Sequence, residues 1–313
     1  MNSTTDSSFE SIRTSFIISG RFLAVICPLT ILANVLLLVA IYKDPFKTFR
    51  TPTACFLVGL AITDLINGLV PEPMATSCYF MCYYHPCEET HCPKIFEIAG
   101  ILAAITTNSS FFIVLAFTIA QYMAVAFPLK FKRFISVRKT LLCVASIWMY
   151  ASFFEVLRVT GIPSEVLEKI DLHLHSTISL LFTIFTYVLL QRAFRKRMAE
   201  RSSTLQTTST VSTSPTRERG TRKQKRKPVV ERNFVRLNLL LIVILLVCSQ
   251  PSAISWYVYF YSDESTRNSE TLFVVRVLAD NTLYLKFLLD PFLFAWRLPN
   301  YRAALKKALC RNG

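Results

Sequence analysis

Lys286 and Asp290 stand four residues apart inside a largely apolar stretch, 272–296, and Asp64 interrupts a second such stretch, 54–74. Four-residue spacing brings two side chains to one helical face. An ionisable group at membrane depth costs several kcal/mol unless it is paired, so each of these residues is a functional candidate. Arg276 and Asp280 repeat the spacing, and Glu97, Glu155 and Arg158 fall at similar depth in two further stretches. Such groups can compensate one another, bind an ion, or line a pocket for a polar ligand among packed helices. They do not form a catalytic set. The chain has no HExxH, no GxSxG, no Walker A loop and no metal-spaced histidines, so we expect no enzyme, no cofactor and no resident metal. The remaining reactive cluster is Cys78, Cys82, Cys87 and Cys92, for which an oxidising exterior favours two disulfides. Three connectivities are open, and a zinc site completed by His85 or His91 is the alternative.

The elements that must carry these residues are helices in lipid. Seven stretches, 22–42, 54–74, 95–127, 141–159, 173–194, 235–261 and 272–296, each reach the length a bilayer span needs. The fifth and seventh are the weakest because they carry ionisable groups. Hydrocarbon leaves no partner for backbone polar groups except the helix itself, so we expect an all-α membrane bundle. With 52% hydrophobic residues in 313 and a mean hydropathy of +0.41, the chain is too apolar for an ordinary soluble domain. Its net charge of +15 is not spread evenly. Most Lys and Arg fall in the connections after the first, third and fifth stretches and in the tail, which predicts an extracellular N-terminus and a cytoplasmic C-terminus. The charge reports orientation, not a nucleic-acid partner. The expected organisation is an extracellular segment 1–21, a bundle over 22–296 with a disordered basic loop at 195–232, and an amphipathic helix and tail over 297–313. The first stretch reads as a retained anchor rather than a cleaved signal.

Motifs fall one per helix and in order. The second stretch opens Thr51-Pro52-Thr53-Ala54-Cys55-Phe56-Leu57-Val58 and continues Leu60-Ala61-Ile62-Thr63-Asp64-Leu65. Asn34 follows Ala33 on the first. Tyr122-Met123-Ala124-Val125-Ala126-Phe127-Pro128-Leu129 closes the third, and Trp148, Tyr187 and Cys248 to Pro251 mark the fourth, fifth and sixth. Asp290-Pro291-Phe292-Leu293-Phe294 marks the seventh, and Tyr301-Arg302 opens an eighth, amphipathic helix. In this order they resemble the rhodopsin-like G-protein-coupled receptors, from the first helix to the tail.

The resemblance implies a seven-helix receptor that binds an extracellular ligand among its helices. It would signal to a heterotrimeric G protein, and engage arrestin, by movement of helices five and six at the plasma membrane. It places Asn34, Asp64 and Ser110 around a sodium pocket, and turns the Lys286–Asp290 face toward Asp64. There the Lys286 ammonium would replace the sodium ion. It also exposes departures. Ala120-Gln121 replaces the Asp-Arg pair, so Glu231, at the place of the restraining acid, has lost its cation. Ser249 replaces the aromatic switch before Pro251, Phe294 replaces a tyrosine after Pro291, and Gly59 replaces an asparagine. Tyr284 stands where opsins carry their lysine, and Ala103 where amine receptors carry an aspartate. With Glu97, Glu155, Arg158, Arg276 and Asp280, these two are the expected ligand-pocket set. A peptide, a lipid or another small metabolite remains open.

A receptor-like protein without G-protein coupling is the second reading, on account of Gln121 and Ser249. An ion-coupled transporter is a distant third, since it would show inverted repeats and Gly- or Pro-broken helices; this chain has 7 Gly and an odd number of stretches. Modification is expected at Asn2, in the sequon Asn2-Ser3-Thr4, and by palmitoylation at Cys310. The basic run 222–227 should attract anionic lipid, and Ser214-Pro215 offers a kinase site.

Overall fold

In the computed structural model, residues 2–43, 51–209, 218–297, 301–303 and 306 are described. Among them every regular element is helical. The spans are α1 (Asn2–Lys43), α2 (Pro52–Leu69) running into α3 (Pro71–Tyr84), α4 (Cys92–Ala126), and α6 (Val137–Val156) after the short α5 (Pro128–Phe134). A 3-10 stretch (Leu157–Thr160) then leads to α7 (Ser164–Ile170), a π-helical stretch (Asp171–Ile178) and α8 (Ser179–Ser209). The last spans are α9 (Glu218–Tyr261) and α11 (Glu270–Arg297), joined through α10 (Glu264–Arg267). Six helices among the described residues are long and apolar enough to cross a membrane. The seventh, α11, is 28 residues long and packs against α9 and α1. Its ionisable residues, which made it weak in the sequence, keep it out of that set.

Local chemistry sets the ends. Thr51 caps α2, accepting the Ala54 amide at 3.3 Å, and Pro52 fills a position whose amide would have no partner. Pro71 has no amide hydrogen to continue the α2 ladder, so α2 ends at Leu69 and α3 restarts at Pro71. The left-handed turn from the 3-10 stretch into α7 falls on Gly161, with φ of 86°.

Packing is closest where side chains are smallest. A Cβ on Gly59 would lie 3.0 Å from Val144 Cγ1, so the glycine lets α2 lie tightly on α6. The main apolar core gathers Leu37, Leu57, Ile113, Phe117, Leu237 and Phe294 from five helices.

The segment 1–21, expected as an extracellular N-terminus, is helical from Asn2, and Phe16, Ser15 and Ser19 are buried. The loop 195–232 is helical wherever it is described, because α8 runs to Ser209 and α9 begins at Glu218. A span already nucleated extends cheaply through residues such as Arg, Lys, Glu and Gln, even without an apolar face. Ser214 and Pro215 lie outside the described residues, as do Cys310 and most of the expected eighth helix. Finally, of the two disulfides expected among the four cysteines one forms, Cys82–Cys87, with Cys78 and Cys82 both carried on α3. Cys78 and Cys92 stay buried thiols, with the Cys92 Sγ 3.8 Å from the Cys78 carbonyl.

Candidate functional site

The bundle holds two polar centres. In the first, Lys286 Nζ lies 2.8 Å from Asp290 Oδ2 and 3.4 Å from Asp64 Oδ1, and the three side chains are 2%, 1% and 0% exposed. The four-residue spacing on α11 makes the closer contact, and the packing of α11 on α2 makes the other. Lys286 also lies 4.7 Å from the centre of the Phe287 ring. Asp64 Oδ2 and Asp290 Oδ1 have no protein partner. Asn34 is beside them but turned to the backbone, donating to Phe287 O at 3.1 Å and Thr30 O at 3.0 Å. The Ser110 hydroxyl is buried without a partner. The arrangement sets one cation between two carboxylates, a formal sum of one negative charge, and ties α2 to α11.

The second centre is a cavity of about 590 Å³ bounded by α4, α7, the π-helical stretch, α9 and α11. Of the expected pocket residues, Glu97, Ala103, Arg158, Asp280 and Tyr284 line it. Glu155 sits behind the wall, 2.6 Å from Arg158 Nε, and Arg158 also reaches Glu168 at 3.2 Å. The expected Arg276–Asp280 pair does not form. Arg276 instead stacks 3.8 Å over Trp256 and 4.1 Å over Tyr259, while Asp280 accepts from Ser252. A planar guanidinium over two aromatic faces gains cation–π attraction from both rings.

Sequence reasoning missed the most ordered part of this wall. Asp171 Oδ1 accepts from Asn108 Nδ2 at 2.6 Å and from His175 Nδ1 at 2.7 Å, and His175 Nε2 meets the Tyr150 hydroxyl at 2.9 Å. The Asp171–His175 spacing of four was visible, but it fell at the edge of the fifth stretch as drawn. The π-helical register could not be read there, and such registers recur at functional sites. A further buried link, Glu72 to Asn67 at 3.1 Å and Asn67 to Thr106 at 3.0 Å, joins α3, α2 and α4.

Toward the opposite end, Gln121 is buried and its amide nitrogen has no partner. Tyr122 packs edge-on to Phe127. The Tyr187 hydroxyl accepts from Gln191, and Phe294 is wholly enclosed in the apolar core. Thr118 donates to Asn238 Oδ1 at 2.9 Å, joining α4 to α9, and Arg197 donates to Ala124 O at 3.3 Å, joining α8 to α4. Neither link was anticipated. Ser249 turns back on its own helix to Leu245 O, next to the exposed Pro251; Pro291 is buried in α11. The Glu231 backbone is in α9, and the Glu231 and Asn2 side chains lie outside what is described. No group of three or more potential metal ligands occurs among the described residues.

Comparison with known proteins agrees with this architecture. The family model described as 7 transmembrane receptor (rhodopsin family) matches residues 33–170. The cannabinoid receptor type 1B of Takifugu rubripes is 26% identical over 308 residues, covering 90% of this chain and 61% of that protein. The adenosine receptor A2b of Bos taurus is 31% identical over 125 residues, covering 39% and 34%. The thyrotropin-releasing hormone receptor of Gallus gallus is 28% identical over 130 residues, covering 41% and 31%. The aligned regions thus span 31% to 61% of these relatives' own lengths. Squid rhodopsin superposes with a TM-score of 0.77 over 95% of this chain and 86% of its own, at 13% identity, which speaks to the fold. Its helices, its ordered motifs and these matches together support a receptor of the rhodopsin family of seven-transmembrane receptors.

Proposed function

We propose that the protein is a plasma-membrane receptor, N-terminus outside and C-terminus in the cytoplasm, that binds an extracellular ligand in the 590 Å³ cavity. It signals to a heterotrimeric G protein, with arrestin and anionic lipid as further partners at the cytoplasmic face. The observation that carries this reading is that α4, α9 and α11 all line the cavity and all continue to the far end of the bundle. A ligand that touches Trp256 and Tyr284 therefore touches α9, whose far end is held by Thr118–Asn238, and α11 two residues from the Lys286 bridges. Outward movement of α8 and α9 would open a cytoplasmic cleft. The ligand drives it only so far as it prefers one packing to the other.

One observation favours a second reading, a receptor-like protein that binds or traffics without coupling: Gln121 supplies no cation where the family has an arginine. The Gln121→Arg variant separates the two. Expressed with promiscuous G-protein reporters and a ligand library, it should change basal or stimulated signalling, by raising coupling or by restoring a latch to Glu231. Unchanged signalling in both conditions would show that the cleft is not used this way.

A further inference from the structure

We propose that the cavity takes a cationic organic ligand, whose protonated amine docks against Asp171 Oδ2 and Asn108 Oδ1. This rests on the reading of the cavity as the ligand site. Asn108 is 3% exposed and lines the cavity; its side chain makes a single hydrogen bond, from Nδ2 to Asp171, which leaves Oδ1 without a donor. Asp171 commits Oδ1 to Asn108 and His175, and its side chain remains 27% exposed at the cavity wall. Each of these two linked side chains thus keeps an acceptor oxygen without a donor, and neither oxygen has a hydrogen to give. Their complement is a donor, and beside a carboxylate a charged donor binds best.

The charge count points the same way. Glu97, Glu168, Asp171 and Asp280 line the cavity, and Arg158 is the one Lys or Arg among its lining residues. Arg158 is already held by Glu155 and Glu168, and Arg276 is spent on the faces of Trp256 and Tyr259. His175 satisfies both its contacts as the neutral tautomer, with the hydrogen on Nδ1 and Nε2 accepting from Tyr150, so the geometry needs no cation there. Phe96, Phe111 and Tyr284 add aromatic rings to the lining, and rings attract a cation.

The test uses the full chain in lipid nanodiscs and three indoles of similar size: tryptamine, its neutral isostere indole-3-ethanol, and the acid indole-3-acetate. Binding is followed by the ligand-induced shift in thermal unfolding at fixed ionic strength. Tryptamine should bind, the acid should not, and Asp171→Asn should weaken tryptamine by about tenfold or more while leaving the neutral analogue unchanged. The substitution keeps both Oδ1 contacts, so the fold should survive; the wild-type preference for amine over acid needs no variant at all. Binding of the acid in preference to the amine, or an Asp171→Asn variant that binds tryptamine as well as wild type, overturns the proposal and leaves the cavity a ligand site. Failure of all three indoles at their solubility limits overturns both.

Discussion

Replacing Lys286 by methionine should cost more than removing the whole charged cluster around it. At an effective dielectric constant of about 20, charges 2.8 and 3.4 Å apart attract by roughly 6 and 5 kcal/mol. Most of that gross attraction offsets the desolvation of three side chains that are at most 2% exposed. Lys286→Met removes the attraction and leaves Asp64 and Asp290 buried with no cation between them. Breaking a buried ion cluster in this way costs about 3–5 kcal/mol. The triple variant Asp64→Asn, Lys286→Met, Asp290→Asn also removes the desolvation, so it should lose less than the single variant. For a chain of this size, 1 kcal/mol moves the unfolding midpoint by roughly 2 °C, so the single variant should melt about 6–10 °C below wild type. The assay is thermal unfolding of the purified protein in nanodiscs, with all variants in one lipid. The reasoning is refuted if Lys286→Met melts with wild type, or if the triple variant melts below it.

Three other outcomes follow from the structure. Gly59→Val should cost about 1–3 kcal/mol, because its Cβ would begin 3.0 Å from Val144 Cγ1, and Val144→Ala should restore part of the loss; an unaffected melting point would show that α2 and α6 do not lie so close. Non-reducing proteolysis and mass spectrometry should recover Cys82 joined to Cys87, with Cys78 and Cys92 alkylated only after unfolding; a Cys78–Cys92 linked peptide would contradict this. Asp263, in the exposed turn before α10, is held down to about 2 by hydrogen bonds from the Ser265 hydroxyl and then from Thr266. Its capping is therefore present above the ordinary carboxylate range and lost only as pH falls through about 2; an NMR titration of Asp263 near pH 4 would refute it.

The sequence by itself determined what lipid and helix periodicity dictate. Spans such as 95–127 announce themselves by length and apolarity, and the basic connections by composition. The pairing of Lys286 with Asp290 is local, since four residues on one helix reach the same face. It could not fix how far helices run beyond the lipid, because residues such as those of 1–21 and 195–209 are compatible with either helix or coil. The tertiary structure alone decided which partner a side chain chose. Arg276 abandoned Asp280 for rings carried by α9, and Asp171 gained Asn108 from α4 through the π-helical register. Thr118 found Asn238 at a separation of 120 residues. A contact between helices depends on their relative rotation and depth, and these are set by the summed packing of small residues such as Gly59 rather than by any motif.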